Sequence, residues 1–244
     1  MDRFNNFKIN CLRISTLLTI ISLTGCVDLT GGQMMAGKKK SAHSLSTAQD
    51  TANNKKTNTK QKKKLYGEIH ALRGGLGIFS LGMNKLQAAV SERYDVPGSS
   101  TMWYSGGDVS RSIIDYHYKH HSNRPVILMG HSLGANEQIK VARNLEKAGI
   151  PVDLLVTLDA VLPPKVPGNV RHALNLYKPG YVPMFSGIRL KADNPELTRI
   201  DNMNVNEIGG VKVNHFTIAN NKKVQTIILD EVDKVLTDAN RKGA

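Results

Sequence analysis

The stretch Pro125-Val-Ile-Leu-Met-Gly-His-Ser-Leu-Gly134 runs an unbroken apolar segment into a serine with a glycine two residues to either side. A short apolar run with no polar alternation reads as a strand buried on both faces, as strands of parallel sheets are. Residues 135–148 follow with helical spacing, Ile139, Ala142 and Leu145 falling on one side and Gly149 supplying the stop signal. Glycines at 130 and 134 suit a strand-to-helix turn too sharp to leave room for side chains two positions from its apex. The pentapeptide thus fits G-x-S-x-G in the context that this motif requires. A turn of this kind aims the Ser132 hydroxyl out of the carboxyl end of a sheet. It also sets the Leu133 N–H at a helix start, where it can stabilise an oxyanion.

Outward from that turn, strand and helix patterns alternate. Residues 65–72 read as a strand and lead into the glycine-rich Arg73-Gly-Gly-Leu-Gly77; residues 82–93 have helical spacing in Met83, Leu86, Ala89 and Val90. A short strand is expected over 100–104, a helix over 109–118, an apolar strand over 152–158 and a shorter one over 173–177. Val224, Ile227, Ile228, Glu231, Val232, Val235 and Leu236 repeat as the face of a final helix. This alternation predicts an α/β fold, a mostly parallel sheet flanked by helices, forming one domain over 65–244. The Pro- and Gly-rich segments 163–168 and 179–195 read as loops, and 163–168 with 179–210 are expected to line a substrate pocket.

The first 64 residues have a different character. The chain carries a net charge of +13, but 12 Lys/Arg against 3 Asp/Glu lie in residues 1–64 and 21 against 17 in the remainder. The basicity therefore belongs to the arm and gives no reason to expect nucleic acid on the domain. Arg3, Lys8 and Arg13 precede the short apolar run of residues 14–23, which reads as a secretory signal rather than a membrane span. Residues 27–64 are polar, Lys-rich and without aliphatic pattern, so they read as a disordered tether with ends on the order of 35 Å apart. Both cysteines, Cys11 and Cys26, lie in the arm, so the domain can form neither a disulfide nor a thiolate metal site. No metal site and no cofactor are expected: Gly74-Gly75-Leu76-Gly77 lacks the spacing of a dinucleotide or phosphate loop.

Leu23-Thr-Gly-Cys26 resembles the bacterial lipobox. The resemblance implies a signal peptide over 1–25, a lipidated Cys26 opening a tether over 26–64, and a lipid-anchored envelope protein. Val27 after the cysteine is similar to the pattern of outer-membrane lipoproteins. Several acyl chains would anchor stably, at ~0.8 kcal/mol per buried methylene.

Gly130-His-Ser-Leu-Gly134, with its flanks, resembles the α/β-hydrolase superfamily, especially the lipase and thioesterase branches. The resemblance implies Ser132 as nucleophile and a histidine just before the last helix, in the chain order Ser, acid, His. His215 occupies that position. Of the other histidines, His43 lies in the arm, His117, His120 and His121 read as a solvated surface, and His172 as the wrong end of the sheet. His131 is expected to pack and His70 to shape the glycine loop. Asp159, directly after the strand over 152–158, is the first choice of acid, with Asp193 and Asp201 as alternatives. Leu133 is the expected first oxyanion donor, and Arg73 or Gly75 the second. The expected activity is cleavage of a carboxylic ester or thioester, lipid among the substrates. An acyltransferase using the same residues, or a non-catalytic envelope lipoprotein keeping the fold, are the other readings.

Overall fold

The computed structural model describes residues 65–182 and 185–242. The segments expected to be an export signal and a tether, with Cys26, lie outside the described residues. Six strands form one parallel sheet: β1 (Glu68–Arg73), β2 (Gly98–Met102), β3 (Val126–His131), β4 (Leu154–Leu158), β5 (His172–Tyr177) and β6 (Arg199–Asn204), in the order β2-β1-β3-β4-β5-β6. Four helices accompany them: α1 (Leu81–Tyr94), α2 (Gly106–His120), α3 (Leu133–Lys147) and α4 (Lys222–Lys242).

The central strands are apolar on both faces because both are covered. Successive side chains point to opposite faces. Ile127 and Met129 of β3 join the core beneath α1 and α4, with Met83, Leu86, Val90, Val224, Ile228 and Val232. Val126 and Leu128 join the core beneath α2 and α3, with Ile113, Ile139, Ala142 and Leu145. Full burial of each such aliphatic side chain contributes about 1.5–3 kcal/mol relative to exposure. The sheet reverses its winding direction between β1 and β3, so the segments leaving their carboxyl ends diverge and open a crevice there.

Three expectations are corrected. The segment 179–210 does not line the pocket throughout: Arg-Ile-Asp-Asn-Met-Asn over 199–204 forms the edge strand β6, parallel to β5. No apolar alternation marks it, because β5 supplies the backbone partners and the segment needs little side-chain burial. The segment 163–168 turns inward away from the crevice, with Val166 buried in the core and bridged to Ala192. His117 is buried rather than solvated, its Nε2 3.2 Å from the Glu68 carboxylate. Burial pushes the Glu68 carboxyl up, but the hydrogen bonds and charges of His70 and Arg124 outweigh that and hold it below its usual value. This cluster ties the start of β1 to α2 at the amino end of the sheet. No helix among the described residues is long and apolar enough to cross a membrane.

Candidate active site

Ser132 sits between β3 and α3 with φ 56° and ψ −124°, a conformation that side chains other than glycine rarely adopt. Its flanking glycines are required by contact. A Cβ on Gly130 would overlap the Gly134 carbonyl and the Ala135 backbone, and one on Gly134 would overlap the Leu72 carbonyl of β1. Ser132 N–H donates to the Leu158 carbonyl at 2.9 Å, which ties the apex of the turn to the end of β4. This strand–turn–helix, at the carboxyl edge of a parallel sheet of this order, decides the architecture. The fold is an α/β-hydrolase fold.

In this α/β-hydrolase domain the edge that carries Ser132 also carries Asp159. Asp159 follows β4 directly, at φ 51°, and is fully buried. Its Oδ1 accepts the Lys178 N–H at 2.7 Å, and its Oδ2 accepts His215 Nδ1–H at 2.7 Å. In the neutral ring this leaves His215 Nε2 as the acceptor, and it lies 3.0 Å from Ser132 Oγ, positioned to accept the hydroxyl proton. Gly187 makes this packing possible, since any Cβ there would overlap the Asp159 carboxylate. The loop that carries Gly187 is held by a buried amide ladder. Asn175 accepts from Thr157 at 2.8 Å and donates to the Ile188 carbonyl at 2.9 Å.

The two other carboxylates considered for this position lie elsewhere. Asp193 pairs with Arg143 of α3 at 2.8 Å on the exposed side of the domain. Asp201 of β6 pairs with Arg199 and with His172 Nε2 at 2.9 Å, toward the amino end of β5. The structure thus brings Ser132, His215 and Asp159 together and leaves Asp193 and Asp201 outside.

Leu133, as first residue of α3, has an N–H with no intrahelical acceptor. Arg73 ends β1 in register with Met102 and is not among the residues lining the cleft. The Gly74 N–H already donates to Ser80 Oγ at 3.0 Å. Gly75, unlike Arg73, lines the cleft, against the Leu133 side chain.

The cleft above Ser132 has a volume of about 450 Å³ and walls built from Leu76, Phe79, Leu133, Val161, Phe185 and Phe216. Phe185 and Phe216 pack on the His215 ring at 5.5 Å, and Phe79 stacks on Phe216 at 4.9 Å. These aromatics shield the imidazole from bulk water. Sequence reading named none of the three, although Phe185 lies in the segment 179–210 expected to line the pocket; isolated Phe residues in loops have no periodicity to reveal them. It also read His131 as packing, whereas this buried ring bonds at both nitrogens. Burial, helped by the neighbouring His215, lowers the pKa of His131 to about 4. No group of residues suited to a metal ion occurs among the described residues.

No protein-family model matches the chain, and no curated protein matches it. Solved structures overlap it loosely. The RedJ thioesterase of the prodiginine pathway of Streptomyces coelicolor is 12% identical over 70% of this chain and 90% of that one, with a TM-score of 0.41. The type II thioesterase YbtT of the yersiniabactin pathway is 12% identical over 72% and 95%, with a TM-score of 0.46.

Proposed function

We propose that this protein is a serine hydrolase that cleaves a carboxylic ester or thioester with an apolar acyl group, through an acyl-enzyme on Ser132. The observation that carries the reading is the continuous Asp159–His215–Ser132 hydrogen-bond chain, 2.7 and 3.0 Å, ending on a serine at a strained turn. Ser132 Oγ attacks the carbonyl carbon while its proton passes to His215 Nε2. The imidazolium formed is stabilised by Asp159, which also holds the ring in the tautomer needed for the transfer. The carbonyl oxygen becomes an oxyanion and takes the Leu133 and Gly75 N–H groups. His215 then protonates the departing alcohol or thiol, and water repeats the sequence to free the acid. The cleft walls contain no Lys or Arg among the described residues, which favours an uncharged acyl chain.

The anchor belongs to the same proposal: Cys26 carries acyl chains that hold the enzyme in a bacterial envelope, with envelope lipid esters within reach of the tether. Cys26→Ser is expected to abolish incorporation of labelled fatty acid and to release the protein from membranes; retained label would remove the anchor from the proposal. For the chemistry, a fluorophosphonate probe is expected to label wild type and not Ser132→Ala. Folded wild type that resists the probe and turns over no ester would overturn the hydrolase reading. Product analysis with an added alcohol separates hydrolysis from transfer, since a mainly transferred acyl group would make the enzyme an acyltransferase.

A further inference from the structure

His131 and Ser80 are both buried, at 2% and 1% exposure, and the mechanism above uses neither. Their hydrogen bonds admit one proton arrangement. The His215 carbonyl, 2.8 Å from His131 Nε2, can only accept, so Nε2 carries the ring proton. Nδ1 is then a bare acceptor, and the Ser80 hydroxyl at 2.6 Å donates to it. With its proton directed there, Ser80 Oγ has lone pairs to offer, and the Gly74 N–H fills one at 3.0 Å. The result is one directed chain: Gly74 N–H to Ser80, Ser80 to His131, His131 to the backbone of His215. Its members come from the loop after β1, the end of β3 and the loop before α4. A charged His131 would put a second N–H against the Ser80 hydroxyl and break the direction of the chain; its pKa of about 4 keeps it neutral.

The chain ends on two backbone segments that the reaction needs held still. Gly74 packs so closely on the elbow that a Cβ there would stand 2.9 Å from Ser132 Cβ and 3.0 Å from the His131 carbonyl. The next residue, Gly75, lines the cleft beside Leu133 and is the loop donor proposed for the oxyanion. At the other end, the His215 carbonyl belongs to the residue whose ring must meet Ser132.

We propose that Ser80 and His131 are positioning residues: their hydrogen bonds hold the Gly74–Gly75 backbone and the His215 backbone in register with Ser132, so that oxyanion donor and base are in place together. This rests on reading Ser132 as the nucleophile. An oxyanion donor acts only in the transition state, so loosening it lowers kcat and not substrate binding.

The test measures kcat and KM on a soluble aryl ester, with fluorophosphonate labelling in parallel, in full-length protein. Ser80→Ala is expected to lower kcat roughly 10- to 100-fold, as a misplacement on the order of 1 Å does, with KM within about twofold of wild type. Ser80→Thr keeps the hydroxyl and is expected to restore most of the rate. His131→Gln can place its NH₂ at the Nε2 position to donate to the His215 carbonyl, which leaves a methylene where Nδ1 accepted from Ser80, so it cuts the same bond from the other side. The double variant with Ser80→Ala is therefore expected to lose no more than the worse single. Ser80→Ala with unchanged kcat, a loss confined to KM, Ser80→Thr as impaired as Ser80→Ala, or additive losses would each overturn the proposal. Should Ser80→Ala fail to fold, His131→Gln decides: a rate equal to wild type overturns it. Wild type that reacts with the probe while the variants match it refutes positioning alone. Wild type inert to probe and ester refutes the hydrolase reading and this inference with it.

Discussion

Acidification should destabilise this protein through His131 in a way that can be separated from the titration of carboxylates remote from it. The imidazole is buried among His215, Ser80 and Ser132, and its pKa falls from the usual 6.5 to about 4. In the unfolded chain it returns to about 6.5. Between those two values the unfolded state binds more protons than the folded state, so stability rises with pH across that window. The contribution is fully present above pH ~6.5, is lost as pH falls, and is gone below pH ~4. At about 1.36 kcal/mol per pH unit, the shift corresponds to about 3 kcal/mol. The assay is urea unfolding of wild type and His131→Gln at half-unit intervals from pH 8 to 4. Carboxylates such as Glu68 and Asp201, whose pKa values are lowered in the fold, contribute alike to both proteins and cancel in the difference. The stability gap between wild type and His131→Gln should therefore shift by about 3 kcal/mol against wild type between pH 7 and pH 4. A gap constant to within about 1 kcal/mol across that range would refute a neutral, buried His131.

Asp159→Asn should lower kcat on the order of 10⁴-fold with little change in KM, because an amide there no longer enforces the needed tautomer of His215. Asp193→Asn and Asp201→Asn should keep near wild-type rates, and a loss confined to either would move the acid. Gly187→Ala places a Cβ against the Asp159 carboxylate and should cost about 1–3 kcal/mol in denaturant unfolding together with most of the esterase rate; wild-type behaviour would mean that the 187 loop does not pack on the acid. Ser132→Gly should be inactive yet more stable than Ser132→Ala by about 1 kcal/mol or more, since glycine accepts φ 56°, ψ −124° without strain. Equal unfolding midpoints would argue against a strained turn.

The parts of this protein legible in its sequence are those whose cause is local. A buried parallel strand must be apolar on both faces, so residues 125–129 announce β3. The final helix announces itself through Val224, Ile228, Val232 and Leu236, which recur at the spacing that puts them on one face. The glycines at 130 and 134 are legible because the steric demand of the turn acts within a few residues of chain. β6 was not legible, because its polar residues at the sheet edge are held by the backbone of β5 rather than by burial of their own. His117 looked like a surface residue among charged neighbours, and only its approach to Glu68, far away in the chain, shows otherwise.

The site divides along the same line. Sequence alone determined that Ser132 stands at a strand-to-helix turn, and chain order pointed to His215. It favoured Asp159, from its place directly after a strand, but left Asp193 and Asp201 open, since each lies in the stretch between Ser132 and His215 where the chain order puts an acid. Tertiary structure decided which of them meets the imidazole, through the absence of a side chain at Gly187 and the N–H that Lys178 offers to Asp159. The roles of Ser80 and His131 likewise depend on partners 51 and 84 residues apart in the chain. Backbone sterics are written over a few consecutive residues. The direction of a buried hydrogen bond exists only once distant segments have met.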